Sequence, residues 1–145
     1  MAPLQRRALY ALLLEIVWAI AIIVVFIEKG SASRYDIDSG FRLLMDGIWV
    51  GGLILYWWLF SSISRKPSQF DERDKLVMER SSKAQWLAVV LSLVAWVIGL
   101  SETFHIQGQV PIIYLYLIFF STLIVSTLAQ SVGILLGYWR MNRNG

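Results

Sequence analysis

The chain contains no cysteine and only one histidine. Without cysteine there is neither a disulfide nor a thiolate metal site. Zinc sites in proteins use three or four ligands, among which histidine and cysteine predominate. Glu102 and His105 are three residues apart and could share one face of a helix, but ordinary loop polarity is the better interpretation of the pair. We therefore predict no metal and no cofactor.

The chain also lacks the sequence patterns of the common catalytic sites. It has no phosphate-binding P-loop, no dinucleotide-binding G-x-G-x-x-G, no H-E-x-x-H and no Ser/His/Asp order of a hydrolase. An enzyme is therefore not expected.

Charge is scarce, at 16% of residues against about 25% in soluble domains, and 57% of residues are hydrophobic. The apolar residues form four runs: Ala8–Ile27, Leu43–Ile63, Ala84–Leu100 and Val110–Trp139. Each run is about long enough to cross a hydrocarbon core of roughly 30 Å as a helix. The sequence predicts an all-α integral membrane protein, a four-helix up-down-up-down bundle forming a single membrane domain. Its spans are expected at about 8–27, 43–63, 84–104 and 110–139.

The first run is a retained span in this interpretation, although Arg6 and Arg7 precede it as in a signal peptide. The apolar part of a cleavable signal is about 7–15 residues long. This run has 20 residues and includes Glu15, which favours a span.

The distribution of lysine and arginine predicts the orientation. Ten of these residues lie before span one, between spans two and three, or after span four, and only three lie on the other side. The positive-inside rule then places both termini and the charged loop in the cytoplasm. The net charge of +3 fits anionic lipid headgroups, so we expect membrane lipids and no nucleic acid as partners. We predict the plasma (inner) membrane of a prokaryote.

The segment between spans two and three carries ten charges within residues 64–83. Ser68 and Asp71 resemble a capping box, and no proline or glycine interrupts residues 69–98. The pattern predicts a cytoplasmic helical segment over 68–83 that continues directly into span three.

Three roles remain open for this segment. It could be a solvated helix whose charge keeps the loop inside, a docking surface for a cytoplasmic protein partner, or a site of lipid recognition. The candidate docking residues are Asp71, Glu72, Arg73, Asp74, Glu79 and Arg80.

The run Asp71-Glu72-Arg73-Asp74, followed by Glu79-Arg80 and an apolar span, resembles a family of small prokaryotic four-span membrane proteins of unknown function. Those proteins carry a D-E-R-D/E motif before their third span. The tail Tyr138-Trp139-Arg140 is also similar, although Met141–Asn144 stand before the final glycine where the family has a compact end. The resemblance implies the four-span layout and implies no reaction.

Small residues at four-residue spacing mark places where helix backbones in membranes approach each other. They occur as Gly47-xxx-Gly51, Ala95-xxx-Gly99 and Gly133-xxx-Gly137. Packing within the chain is the favoured interpretation, and a homo-oligomer remains open.

Aromatic residues predict two interfacial belts. Tyr35 and Trp49 are expected at the outer boundary. The inner boundary is expected to hold Tyr10, Trp57, Trp58 and Trp86.

Glu15 is the only acid well inside a span, where a charge costs at least about 2.5–3.5 kcal/mol. Tyr56, Ser92 and Gln130 lie at about the same height in the other spans. We predict that the four side chains form an intramembrane polar layer, with Glu15 protonated and hydrogen-bonded. Three interpretations of Glu15 remain open. It could be a structural clasp, that is, a hydrogen-bonded contact that holds the helices together; it could be a proton or ligand site; or its side chain could face lipid without a role.

Two functions follow from these observations. The first is a small non-enzymatic membrane protein, accessory or regulatory, whose charged helix engages a protein partner. The alternative is a small transporter or proton-coupled carrier that uses Glu15. The strong charge bias argues against the small multidrug-resistance transporters, which have short loops and weak bias.

Overall fold

The computed structural model describes residues 2–30, 34–35, 37–63, 71–106 and 108–144, without the side chains at 59–60, 62–63 and 144. Four helices account for nearly all of these residues: α1 (Pro3–Lys29), α2 (Ser39–Ile63), α3 (Glu72–Phe104) and α4 (Ile113–Asn144). The described residues contain no strand. The predicted all-α class is therefore confirmed.

Three helices are long and apolar enough to cross a membrane: α1, α3 and α4 as far as Arg143. Within the described residues α2 does not reach that level. Arg42, Asp46 and several glycines lower its hydropathy, and part of its apolar end lies outside the described side chains. The fourth span stays a prediction.

Large apolar side chains cover much of the surface. Examples that are more than half exposed are Val17, Ile27, Trp86, Val97 and Leu115. Apolar surface on this scale is unusual for a soluble monomer and typical of a membrane-facing or partner-facing surface.

Local sequence determines where the helices begin and end. The chain leaves α1 at Gly30, whose φ of 93° is readily available only to glycine. At the start of α2, the Asp38 carboxylate accepts hydrogen bonds from the N–H groups of Gly40 and Phe41, at 2.9 and 3.1 Å. These bonds lower the pKa of Asp38, because they favour the charged carboxylate.

The N-cap of α3 is Asp71, whose carboxylate accepts a hydrogen bond of 2.7 Å from the N–H of Glu72. Asp71 was predicted one turn inside the helix, with Ser68 as the cap; Ser68 lies outside the described residues. Aspartate is among the best N-cap residues, which explains the later start. From Glu72 the helix runs unbroken to Phe104, so the charged segment and the apolar run share one helix.

The packing order of the helices is α2, α1, α4, α3. The longest interface joins α3 to α4, and α4 also packs along α1, which in turn packs on α2. Among the described residues α2 and α3 share few contacts. Contacts such as Gln85 with Ser126 and Trp96 with Ser121 show that α3 and α4 are antiparallel.

The buried face of α1 repeats at alternating steps of four and three residues, the spacing of a coiled-coil seam. Its members are Leu4, Ala8, Ala11, Glu15, Trp18 and Ile22. Glu15 thus occupies a position that an apolar residue would normally fill. We call the end of the helix row near Leu4, Glu72 and Arg140 the charged end, and the opposite end, near Gly30, Asp38 and His105, the loop end.

The aromatic cluster towards the loop end forms the larger core. The ring of Trp49 stacks with those of Tyr116 and Phe120, with centroids 4.9 and 5.0 Å away. Tyr35 packs on the same ring and donates a hydrogen bond of 3.2 Å to Asp46.

Tyr35 and Trp49 are 5% and 2% exposed, so their prediction as boundary anchors was wrong. Tyr35 packs on Trp49, and Trp49 of α2 packs on the rings of α4. Tyr10, Trp57, Trp58 and Trp86 are exposed, as anchors would be.

Gly52 of α2 packs directly against the side chain of Trp18 of α1. A Cβ at Gly52 would overlap the indole ring of Trp18, whose N–H donates to the carbonyl of Ile48 at 3.1 Å. Gly47 and Gly51, which the small-residue pattern marked, face open space, because a Cβ added at either would have nothing within 4 Å. The helix is rotated so that the residue beside the predicted stripe meets α1.

Candidate functional site

The first turns of α3 are docked on the last turns of α4. Asp74, Val77 and Ser81 are buried along one side of α3. They face Gly133 and Gly137 of α4, where an added Cβ would lie 3.0 Å from Cβ of Ser81 and 2.9 Å from Cγ1 of Val77. The Gly133-xxx-Gly137 pattern therefore serves a contact within the chain, and it brings the charged segment against α4.

Asp74 is 8% exposed, and its carboxylate accepts a hydrogen bond from the hydroxyl of Tyr138. The sequence interpretation placed Asp74 among residues that dock a partner. A buried carboxylate bonded to α4 is not available to a partner, so that assignment was wrong for Asp74. The periodicity contained the signal, because Asp74 shares its helical face with Val77 and Ser81.

The remaining docking candidates lie on different sides of α3. The side opposite α4 carries Glu72, Leu76, Glu79 and Lys83, all exposed. Glu79 and Lys83 form an ion pair of 2.9 Å on this side. Asp71 caps the helix. We call Glu72, Leu76, Glu79 and Lys83 the outward face.

Arg73 and Arg80 lie on a third side, two turns apart, and border a cleft of about 600 Å³ between α3 and α4. We call it the arginine cleft; its lining residues are Arg73, Val77, Arg80, Gly133, Leu136, Gly137, Arg140 and Met141. No acidic residue is among them. Arg140 was absent from the predicted site because it is sixty residues away along the chain and only antiparallel packing brings it here.

Polar pairs continue along the α3–α4 interface beyond the cleft. The amide of Gln85 donates to Ser126 at 2.8 Å, and the indole N–H of Trp96 donates to Ser121 at 2.8 Å. Ser92 lies between them, its hydroxyl 3.4 Å from that of Thr122. Ser92, predicted in a layer with Glu15, is thus bonded to α4 on the α3 side.

Glu15 is fully buried between α1 and α4. It lies beside Thr127 and close enough to Tyr56 for an electrostatic interaction. The Thr127 hydroxyl donates to the carbonyls of Leu123 and Ile124, at 2.9 and 3.1 Å. Neither carboxylate oxygen of Glu15 has a hydrogen-bond partner at normal distance and angle among the described residues. Thr127 is therefore a neighbour of Glu15 that does not form a well-aligned hydrogen bond with it.

Gln130, the other predicted member of the layer, lies on the same helix as Thr127, nearer the charged end. It borders a small cavity of about 60 Å³ with Arg7, Ala11 and Ser131. Of the predicted layer, the structure brings together Glu15 and Tyr56, and Thr127 takes the position expected for Gln130. Thr127 was missed because helix height alone does not tell which residue of a turn faces α1.

His105 and Glu102 lie at the end of α3 and are both exposed. The Nδ1 atom of His105 lies 3.0 Å from the backbone carbonyl oxygen of Glu102. The contact is therefore to the main chain of Glu102 and not to its carboxylate. In the part of the chain that the structure describes, no group of three or more histidine or acidic residues could hold a metal ion.

Searches of protein-family models, curated proteins and solved structures find no match to this chain.

Proposed function

We propose that the protein is a small non-enzymatic membrane protein, accessory or regulatory, whose charged helical segment engages a cytoplasmic protein partner. One observation carries the proposal: the first three turns of α3 are fixed on α4 by Val77, Ser81 and Asp74. A segment held in this way presents the outward face at a constant position. A solvated helix with no partner would not need that fixation.

The proposal includes a four-span, up-down-up-down bundle in the plasma (inner) membrane of a prokaryote, with both termini cytoplasmic. Three helices of sufficient length and hydropathy and the antiparallel α3–α4 pair support it. So does the concentration of arginine and lysine at the charged end. The resemblance to the family with the D-E-R-D/E motif supports the same layout.

Topology is testable directly because the chain has no cysteine. Single cysteines replace Ile37 and Ile106 at the loop end, and Leu76 and Asn142 at the charged end; all four positions are exposed. A membrane-impermeant maleimide added to intact cells should label the first two and spare the last two. Labelling of Leu76→Cys from outside would overturn the orientation.

Partner engagement is testable by a photo-crosslinking amino acid at Leu76, which is 53% exposed at the centre of the outward face. We expect a discrete crosslinked protein that disappears when Glu72 and Glu79 are both changed to lysine. The matched control changes both to aspartate, which keeps the charge and should keep the product. A product that survives charge reversal, or no product at all, would contradict the proposal.

Glu15 favours a second candidate, a proton-coupled carrier. Its buried carboxyl without a firm hydrogen bond is unusual in a purely structural position. The purified protein in liposomes should then move protons, as measured with an enclosed pH-sensitive dye. Glu15→Gln should abolish that flux if Glu15 carries the proton. If the wild type moves no protons, and Glu15→Gln has the same melting temperature as the wild type, the carrier is excluded and only the structural clasp remains.

A further inference from the structure

The positive charge of the arginine cleft is not neutralised by direct ion pairs within the described residues, although Glu79 interacts electrostatically with Arg80 at longer range. Within the described residues, no carboxylate lies within ion-pair distance of Arg73, Arg80 or Arg140; the ion pair found there joins Lys83 to Glu79. Of the two acids adjacent to Arg73 in sequence, Asp74 is bonded to Tyr138 and Glu72 lies on the outward face. Three guanidinium groups around one cleft repel each other unless an anion joins them.

The glycines of α4 create the room for such an anion. Gly133 and Gly137 both line the cleft, and the absence of Cβ atoms there lets α3 lie close to α4 while the space beside the contact stays open. The volume of about 600 Å³ is within the usual range for small-ligand sites.

The cleft combines basic and apolar surface. Arginine suits phosphate because its planar fork donates two parallel hydrogen bonds to phosphate oxygens. The remaining lining, from Val77, Leu136 and Met141, is apolar. Inorganic phosphate gains nothing from apolar walls, whereas a glycerophospholipid has a phosphate joined to an apolar body. Exposed Trp139 follows Leu136 on α4 and marks the level expected for lipid headgroups.

We propose that the arginine cleft binds the phosphate headgroup of an anionic phospholipid, through Arg73 and Arg80 of α3 and Arg140 of α4. The proposal rests on the membrane location in the proposed function but not on a protein partner. Because the arginines come from both helices, a bound headgroup joins them and stabilises the docking of the charged segment on α4.

The test uses the full-length protein in detergent, with phosphatidylglycerol or phosphatidylcholine added in equal molar excess. Native mass spectrometry counts the lipids retained, and tryptophan fluorescence follows thermal melting. The variant changes Arg73, Arg80 and Arg140 to glutamine. The control makes the same charge change outside the cleft: Arg6→Gln, Lys75→Gln and Arg143→Gln.

We expect one phosphatidylglycerol to be retained by the wild type and the control, with a higher melting temperature than in phosphatidylcholine. Loss of each charge-assisted hydrogen bond should lower the affinity about tenfold, so the triple variant should retain none. If that variant does not fold, Arg140→Gln alone should still show about a tenfold loss.

Three outcomes would overturn the proposal. One is equal retention of phosphatidylglycerol and phosphatidylcholine. Another is equal loss of lipid in the variant and the control. The third is equal stabilisation of the wild type by inorganic phosphate alone, which would identify a site for free phosphate. Cysteine labelling of topology is independent of all three, so failure of the cleft is distinguishable from failure of the proposed function.

Discussion

The two ends of the helix row are held together by different means. Towards the loop end, large aromatic rings fill the space between α1, α2 and α4. At the charged end, α3 and α4 approach through glycines, with one buried hydrogen bond and a small apolar cluster around Leu4, Val77 and Ile134. Ring packing buries a large apolar area. Close backbone packing beside long basic side chains leaves a cleft, which is why the candidate site is at the charged end.

The largest effect is expected from Gly52→Ala, which changes the packing of the aromatic cluster towards the loop end. The new methyl group would overlap the ring of Trp18, which is 4% exposed and bonded to Ile48. The loss in the free energy of unfolding should be near the top of the roughly 1–3 kcal/mol that overpacking costs. The control is Gly51→Ala, one residue away with open space. Thermal melting followed by tryptophan fluorescence in detergent should separate the two variants; equal melting temperatures would contradict the α1–α2 contact.

At the charged end, Gly137→Ala should cost about 2 kcal/mol, because its methyl group would lie 2.9 Å from Val77. Val77→Ala in the same chain should recover part of the loss by making room. Gly99→Ala, at an exposed glycine of α3 with nothing within 4 Å, is the matched control. If Val77→Ala lowers the free energy of unfolding of the Gly137→Ala variant further, the two residues do not pack as described.

Tyr138→Phe tests the buried hydrogen bond of the same interface. Removing the hydroxyl leaves the Asp74 carboxylate without its donor, which should cost about 1 kcal/mol. A double-mutant cycle with Asp74→Ala should return a coupling energy of similar size. Tyr10→Phe, which loses only an exposed bond from Arg6, should melt like the wild type. A coupling energy near zero would rule out the bond.

The smallest effect concerns pH at the loop end. Burial and the neighbouring Asp46 carboxylate raise the pKa of Tyr35 to about 12. In the unfolded chain tyrosine loses its proton near pH 10, so its stabilising contribution is complete below about pH 10 and is lost as the pH rises to about 12. The difference in melting temperature between the wild type and Tyr35→Phe should therefore shrink across that range. Parallel curves would show that Tyr35 is not buried beside Asp46.

Much of the fold was predictable because helix formation is local. The apolar runs predicted all four helices, and the absence of proline and glycine over residues 69–98 predicted that the charged segment would continue into the apolar part of α3. Less of the site was predictable. Asp71 was placed inside the first turn, although its own carboxylate caps the helix. Thr127 was missed because it lies within one turn of Gln130, and helix height alone does not tell which residue of a turn faces α1.

The sequence by itself determined the helical class, the uneven distribution of charge and the presence of one acid among apolar residues, since each depends only on composition and spacing along the chain. Only the tertiary structure decided which side of each helix meets a neighbour. That choice selected Gly52 over Gly47 and Gly51, buried Trp49 and Asp74, and brought Arg140 to Arg73 and Arg80. The physical reason is that a small rotation of a helix about its axis leaves its hydrophobic pattern nearly unchanged but replaces the residues in contact.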